Sequence, residues 1–218
     1  MKVMILAAGR GKRMQALTDD QPKPLLRVGQ YSLIEWQIQR LAQYGFSDLV
    51  INLGYHGEQI RTTLGDGRDH GVRIAYSREP EEGLETAGGI IQALPLLGND
   101  TFLCVNADVW CDVDYRTFAH NDTTSDAHLL LVDNPVWKAR GDFGLSGGRV
   151  IAGETLTYAG IARFNPRFFA GSAPGFRPLA PLLHQAVAQG AVSGEHHIGD
   201  WQDVGTPERL ATLQSAYH

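Results

Sequence analysis

The sequence predicts an α/β protein with a mostly parallel central sheet that is covered by helices on both faces. Two observations in the first half of the chain support this fold class. Short apolar runs have the length of buried strands, and they alternate with segments whose apolar residues recur at helical spacing. Such alternation favours parallel strands joined by crossover helices. Ligands of these sheets bind beyond the carboxyl ends of the strands, so chemically active residues are expected just after strands.

The elements of the first half follow this alternation. The run at 3–7 is typical of a strand buried on both faces. Apolar residues recur at helical spacing from Leu33 to Leu41, and Gly45 ends that helix. The next predicted elements are a strand at 49–52, a helix at 57–64, a strand at 72–76, a helix from near Thr86 and a strand at 101–106.

The second half is less regular in its pattern. The predicted elements are strands at 127–132, 149–151 and 155–164, a helix at 181–189 and a short strand at 201–204. Thr206 as cap and Pro207 at the first helical position predict the start of a final helix. Because there is no internal repeat or low-complexity linker, we expect a single domain over 1–218.

Composition excludes several classes of function. The chain has 218 residues, 43% of them hydrophobic and 20% charged, which is typical of a globular protein. A net charge of -5 provides no overall positive field for nucleic acid or a membrane surface, so cations must be supplied locally to any phosphate substrate. Two cysteines form no disulfide framework. Without a long apolar span or a signal peptide, the expected location is cytoplasmic.

A glycine-rich loop follows the first predicted strand. Residues 6–14 read LAAGRGKRM, and backbone N–H groups of such a loop can approach phosphate oxygens closely. The loop is not a Walker motif, because Arg13 follows the lysine, and Met14 replaces the third glycine of a dinucleotide fingerprint. Lys23 lies between two prolines on a stiff segment, which suits a fixed position against a phosphate. A tight turn with solvated basic side chains is the alternative interpretation.

Two carboxylates lie at the ends of predicted strands. Asp108 follows the strand at 101–106, and Asp203 lies between a short strand and the final helix. Oxygen ligands suit Mg²⁺, which bridges substrate phosphates, and two strand ends can meet on one side of a sheet. For each residue alone, a turn-forming Asp is the alternative.

The strings GRGKR and PKP resemble the GxGxR and PKP signature of the sugar-1-phosphate nucleotidylyltransferases. The resemblance extends over essentially the whole chain. It implies a Rossmann-like sheet with an inserted sugar-binding region, so that 1–112 is mainly nucleotide-binding, 113–200 mainly sugar-binding, and 201–218 supplies a metal ligand and a helix. It also implies that Asp108 and Asp203 hold Mg²⁺.

The resemblance implies further residue roles. The backbone around Gly83 is expected to face the base edge of the nucleotide. The full set of expected nucleotide-binding residues is Ala8, Gly9, Gly11, Lys12, Arg13, Lys23 and Gly83. Asn106, Asp142 and Gly160 are expected to contact the sugar, although Asn106 alone could shape a turn and Asp142 could be an exposed loop carboxylate.

The implied reaction is in-line attack of a sugar 1-phosphate oxygen on the α-phosphorus of a nucleoside triphosphate, with release of pyrophosphate. The phosphate nucleophile is already ionised, so no general base is needed. The expected catalytic residues are Arg13, Lys23, Asp108 and Asp203. Arg13 would stabilise the triphosphate and the leaving pyrophosphate, and Lys23 would hold a reacting phosphate in line.

The strings VDNP at 132–135 and GDF at 141–143 are similar to those of the bacterial N-acetylmuramate 1-phosphate uridylyltransferases of cell-wall recycling. This similarity implies UTP and N-acetylmuramate 1-phosphate as substrates. The chain ends 15 residues after Asp203, so we expect no β-helical extension. Ala107 and the pair 31–32 depart from the usual pattern. A mannose- or glucose-1-phosphate enzyme using GTP or dTTP, and a catalytically inactive nucleotide-sugar sensor, are the alternatives.

Overall fold

A computed structural model of the protein describes residues 1–121 and 124–216. Residues 122–123 and 217–218 of the predicted domain lie outside the described residues. The strands are β1 (Val3–Leu6), β2 (Arg27–Val28), β3 (Tyr31–Ser32), β4 (Asp48–Leu53), β5 (Arg73–Arg78), β6 (Phe102–Asn106), β7 (Val109–Cys111), β8 (Ala127–Asp133), β9 (Phe143–Ser146), β10 (Arg149–Phe164), β11 (Val192–His197) and β12 (Trp201–Asp203). The α-helices are α1 (Leu33–Gln43), α2 (Gly57–Leu64), α3 (Glu85–Leu97), α4 (Tyr115–His120), α5 (Leu179–Ala188) and α6 (Pro207–Ala216).

The central sheet is mixed but mostly parallel, which confirms the predicted fold class. Its strand order is β11-β8-β10-β6-β1-β4-β5, and β9 pairs with β10. β1 lies between β4 and β6 and is parallel to both, while β4 is parallel to β5 and β8 to β11. β10 is antiparallel to β6, β8 and β9, so it runs against the other strands described in this sheet.

Both faces of the sheet are buried under helices. Along β1, Val3 and Ile5 pack in one apolar cluster with side chains of α1 and α2, whereas Met4 packs in a second cluster with α3 and α5. Successive strand residues point to opposite faces, so a strand covered on both sides reads as a continuous apolar run. This two-sided burial explains why the pattern at 3–7 predicts the strand correctly.

The starts of α1, α3 and α6 agree with the sequence to within one residue. Glu35 and Ser32 form a capping box at the start of α1, with Ser32 N donating to Glu35 Oε2 at 2.7 Å. The backbone N–H of Arg209 lies 3.5 Å from the hydroxyl of Thr206, which caps α6 as predicted. α3 begins at Glu85, one residue from the predicted start near Thr86, and Leu84 is its N-cap residue.

The second half corrects the predicted strands. The segments at 149–151 and 155–164 belong to one strand, β10, whose pairing register shifts between Ile151 and Leu156 and again between Tyr158 and Ala162. The residues between the two segments, 152–154, show no strand pattern in the sequence. They lie where the pairing register of β10 shifts. The elements that the sequence pattern does not predict are β2, β3, β7, β9, β11 and α4.

None of the helices in the described part of the chain combines the length and the apolar character that a membrane crossing requires.

Candidate active site

A cleft of about 690 Å³ opens at the carboxyl ends of β1, β4, β5 and β6, where the parallel sheet predicts a ligand site. Its wall includes residues 6–13, 23–24, 81–86 and 106–108, together with Asn52, Tyr55, Glu79, Phe176 and Gly205. The predicted site residues that line it are Ala8, Gly9, Gly11, Lys12, Arg13, Lys23, Gly83, Asn106 and Asp108. Among the described residues that form the wall, Asp142, Gly160 and Asp203 do not occur.

The glycine loop is held at one end and open to the cleft at the other. Gly11 has a φ of 65°, a left-handed conformation that glycine adopts without strain, and Met14 N donates to its carbonyl at 2.8 Å. Met14 is fully buried in a small apolar cluster, which fixes the loop where a dinucleotide fingerprint would have a glycine. Lys12 and Arg13, between these two residues, are exposed.

The lysine between the prolines has a buried stem and a charged end in the cleft. Pro22 is extended, and Lys23 begins a short 3-10 helix with Pro24 at its second position. Only 8% of Lys23 is exposed, and its Nζ forms an ion pair with Asp108 Oδ2. Two of the predicted catalytic residues therefore touch each other in the protein without ligands.

Asp108 and Asp203 are far apart in the sequence, but the segments that carry them lie side by side in the fold. β12 pairs with β7, so that Asp203 lies opposite Val109, and Val204 N donates to the carbonyl of Asp108 at 3.0 Å. A Cβ added to Gly205, which lines the cleft, would lie 3.1 Å from Asp203 Oδ2 and 3.2 Å from an Arg13 guanidinium nitrogen. Asp203 therefore lies immediately behind the cleft wall, beside the glycine loop.

The donor set at this edge fits a hard divalent cation. Asp108 and Asp203 both offer carboxylate oxygens, which are the ligands that Mg²⁺ prefers. Both side chains are partly buried, and each is paired with one cation: Asp108 with Lys23, and Asp203 with Arg209 at 2.8 Å. Bringing two carboxylates together requires positive charge, which these side chains supply and a metal ion could share.

A hydrogen-bonded chain that sequence reasoning missed holds the nucleotide side of the cleft. Asn52 accepts from the backbone N–H of Ala7 at 2.7 Å and donates to Glu79 Oε1 at 2.6 Å. The other carboxylate oxygen of Glu79 accepts from Leu84 N at 2.9 Å. This chain joins the end of β1 to the start of α3. The only sequence signal was a buried Asn in the apolar strand β4.

Gly160 supports another cleft residue from behind. It has a φ of 76° at a register shift of β10, and an added Cβ would lie 2.6 Å from Asn106 Nδ2. Asn106 lines the cleft at the end of β6. Gly160 was expected to contact the sugar. In the structure, the space beside its backbone is filled by the Asn106 side chain.

Asp142 is engaged within the protein outside the cleft wall. Its Oδ2 accepts from Tyr158 N at 2.9 Å and pairs with Lys138 Nζ at 2.6 Å. These contacts attach the loop after β8 to β10. An exposed loop carboxylate, the alternative interpretation, does not describe a group with two such partners.

The two neighbouring histidines of β11 contact different carboxylates. His196 lies 2.9 Å from Asp133, and His197 lies 2.7 Å from Asp112. Adjacent strand residues point to opposite faces, so the two histidines are not placed to share one metal ion. His197 and Asp112 also have a ligand atom near Cys111. Burial raises the pKa of that thiol to about 11, so it stays protonated without a metal.

Comparison with known proteins decides the family. Residues 2–146 match the family model for nucleotidyl transferases. The chain belongs to the nucleotidyl transferase family. The predicted membership of the sugar-1-phosphate nucleotidylyltransferases is confirmed.

Two relatives of this nucleotidyl transferase match over nearly their whole length. An N-acetylmuramate alpha-1-phosphate uridylyltransferase from Neisseria meningitidis serogroup B is 50% identical, over 99% of this chain and 97% of the relative. The protein of the same name from Caulobacter vibrioides is 33% identical, over 94% of this chain and 92% of its own length.

Solved structures show the same fold. A structure from Bacillus anthracis, described as a glucose-1-phosphate thymidylyltransferase in complex with sucrose, has a TM-score of 0.89 and 22% identity. It is matched over 100% of this chain and 95% of its own. HddC from Yersinia pseudotuberculosis complexed with GMP-PN has a TM-score of 0.83 and 18% identity, over 100% of this chain and 99% of its own.

Proposed function

We propose that this nucleotidyl transferase transfers the uridylyl group of UTP to N-acetylmuramate 1-phosphate and releases pyrophosphate, with Mg²⁺ as cofactor. The observation that carries the proposal is the meeting of Lys23, Asp108 and the glycine loop in one cleft, with Asp203 on the adjoining strand. The choice of UTP and the muramate sugar is supported by two near full-length relatives that bear that name. We place the reaction in the cytoplasm, in peptidoglycan recycling.

The glycine loop binds the triphosphate in this proposal. Backbone N–H groups of Gly9 and Gly11 face phosphate oxygens, and the exposed side chains of Lys12 and Arg13 add positive charge. An added Cβ at Gly9 would meet no atom within 4 Å, so this side of the loop is open to a ligand. Arg13 is well placed to stabilise the charge that develops on the leaving pyrophosphate.

Lys23 holds a reacting phosphate in line. Its stem is buried between two prolines, so the ammonium group moves over a short range, from Asp108 to a phosphate oxygen. Asp108 and Asp203 would hold the Mg²⁺, which neutralises phosphate charge and orients the α-phosphate when bound. The sugar phosphate is already ionised at neutral pH, so the protein positions two anions and supplies no base.

On the sugar side, Asn106 is the proposed direct contact, since its amide lines the cleft and both donates and accepts hydrogen bonds. Gly160 keeps Asn106 in place by leaving room for its side chain. Asp142 fixes the backbone at Tyr158. We propose that Gly160 and Asp142 shape the sugar site through their neighbours, Asn106 and Tyr158.

A substrate matrix tests the proposal. Pyrophosphate release is measured with UTP, GTP and dTTP, each paired with N-acetylmuramate, mannose and glucose 1-phosphates, with Mg²⁺ and with EDTA. We expect the highest kcat/KM for UTP with the muramate sugar, and no release in EDTA. Release only with mannose 1-phosphate and GTP would favour the guanylyltransferase alternative. No release with any pair would favour an inactive nucleotide-sugar sensor.

A further inference from the structure

An exposed aromatic side chain forms part of the cleft wall. Phe176 lies in the segment between β10 and α5, and 68% of its surface is exposed although it lines the cleft. Covering a water-exposed apolar ring with a ligand stabilises the complex. Single exposed apolar residues are common on protein surfaces, so its exposure alone carries no weight. Its position in the wall is what distinguishes it from Ile198, which is 83% exposed outside the described cleft wall.

The backbone around Phe176 is held against the start of α3. Arg177 N donates to the carbonyl of Leu84 at 2.8 Å, and Gly88 N donates to the carbonyl of Arg177 at 3.0 Å. The contact is close: a Cβ added to Gly88 would collide with the carbonyl oxygen of Gly175. Because the segment is already held against the start of α3, a ligand does not have to order it on binding.

We infer that Phe176 packs against a methyl-bearing substituent of the sugar 1-phosphate and so contributes to acceptor specificity. The inference rests on the proposed function and names one contact of that site. N-acetylmuramate 1-phosphate carries two such substituents, an acetamido and a lactyl group, on an otherwise polar molecule. A ring at the edge of a polar cleft distinguishes these methyl groups from hydroxyls.

The sugar, not the uracil, is the assigned partner for two reasons. Phe176 belongs to the half of the chain expected to bind sugar, and the base edge is already assigned to the backbone at Gly83. The phosphates are assigned to the glycine loop and Lys23, which are charged or polar. A methyl group needs an apolar partner. The rest of the described cleft wall offers few apolar side chains as large as Phe176.

The test compares Phe176→Ala with wild type by calorimetry, in the presence of Mg²⁺. Dissociation constants are measured for UTP alone, and for each sugar 1-phosphate with α,β-methylene-UTP, which does not react. Binding of N-acetylmuramate 1-phosphate is expected to weaken about tenfold, the usual effect of losing one methyl-sized apolar contact. The UTP constant is expected to stay within about twofold, and Phe176→Leu to weaken the sugar less than Ala does.

N-acetylglucosamine 1-phosphate, which has the acetamido but not the lactyl group, identifies the substituent. A tenfold loss with this sugar as well assigns the methyl contact to the acetamido group, and a loss with the muramate sugar alone assigns it to the lactyl group. An unchanged constant for the muramate sugar, or an equal loss for UTP, overturns the inference.

Ile198→Ala is the matched control, because it removes an exposed apolar side chain away from the cleft. It should leave both dissociation constants unchanged. Thermal unfolding of the Phe176 variant should match wild type, since the ring buries little surface in the free protein. The proposed function fails separately, through absence of pyrophosphate release by wild type, so the two failures are distinguishable.

Discussion

At the scale of single residues, two side chains of the candidate site, Lys23 and Asp108, form an ion pair. Lys23 is almost fully buried, and a buried charge without a partner is costly. Its ion pair with Asp108 supplies that partner. Under the proposed function, a cation on the carboxylates and a phosphate on Lys23 would replace this one ion pair with two favourable contacts.

Replacing Lys23 by Ala removes the charge that this exchange delivers to the phosphates. We expect turnover at saturating substrates to fall at least about 100-fold, the size typical of losing one preorganised charge contact. The Mg²⁺ concentration required should not rise, because Asp108 loses a competing cation. Steady-state pyrophosphate release measures both quantities. Lys2→Ala, an exposed lysine that donates to Leu96 O, is the control and should be neutral; near-normal turnover of Lys23→Ala would show that the role is wrong.

Glu195 gives the stability of the protein a dependence on acid pH. The imidazole of His128 and a hydrogen bond from Asn121 hold the pKa of this carboxyl below its usual range, against the opposing effect of burial. A pKa lower in the folded state means that the charged form stabilises the fold above the ordinary glutamate pKa of about 4.3. This stabilisation is lost as pH falls through the folded-state pKa.

Glu195→Gln should therefore unfold more easily than wild type at pH 7. The difference in free energy of unfolding between the two proteins should shrink as the pH falls below about 4. Urea unfolding at pH 7, 5 and 3 measures it. A difference that is constant across this range would show that the charge of Glu195 does not stabilise the fold.

Local motifs predict residues that act through their own chain neighbours, and they miss those that act through distant partners. The glycine loop and the lysine between prolines are readable because their spacing carries the chemistry. The link between Asn52 and Glu79 spans two parallel strands, and only the pairing of β4 with β5 brings the side chains together. One polar residue in an apolar strand does not specify its partner.

At the scale of elements, a two-stranded sheet brings the chain segments of Asp108 and Asp203 side by side. β7 and β12 are three residues each and pair only with one another. Neither has enough length for a clear alternating pattern, so β7 was not predicted and its partner lies about 90 residues away in the chain. Longer elements with regular burial, such as α1 and β4, were predicted within one or two residues.

A substitution at Gly160 tests whether the irregular part of β10 positions Asn106 in the cleft. Gly160→Ala introduces a Cβ into the space of the Asn106 amide, whereas Gly148→Ala has the same φ of 76° and no atom within 4 Å. Both variants incur backbone strain of about 1 kcal/mol, and we expect Gly160→Ala to lose about 1 to 3 kcal/mol more from overpacking. Its KM for the sugar 1-phosphate should also rise.

Chemical unfolding and sugar KM values of the two variants measure these effects. Equal losses of stability with unchanged KM values would mean that the Asn106 contact is unimportant.

At the scale of the whole molecule, the described cleft wall of this acidic protein carries Arg10, Lys12, Arg13 and Lys23 beside the carboxylates of Glu79, Glu81, Glu82, Glu85 and Asp108. The net charge is -5, yet Lys12, Arg13 and Lys23 share one wall of the cleft. The two apolar clusters on either face of the sheet keep that wall rigid. Sequence patterns indicated the sheet, its buried strands and its position relative to the ligand, because those features repeat along the chain.

The two-sided core also predicts the behaviour of the thiols. Burial raises the pKa values of both Cys104 and Cys111, the latter to about 11, so neither is a thiolate at pH 8. We expect no reaction of the native protein with a disulfide reagent over minutes, and reaction of both thiols in guanidinium. Absorbance of the released reagent measures this. Rapid labelling of a native thiol would show that the core opens readily.

The proposed function depends on a divalent cation that Asp108 and Asp203 would hold together. Binding of Mn²⁺, which substitutes for Mg²⁺ and is visible by electron paramagnetic resonance, can be titrated with UTP present in wild type, Asp108→Asn and Asp203→Asn. We expect each substitution to weaken Mn²⁺ binding at least about tenfold, because each removes a charged ligand from the same ion. Mn²⁺ binding as tight in both variants as in wild type would contradict the shared metal site.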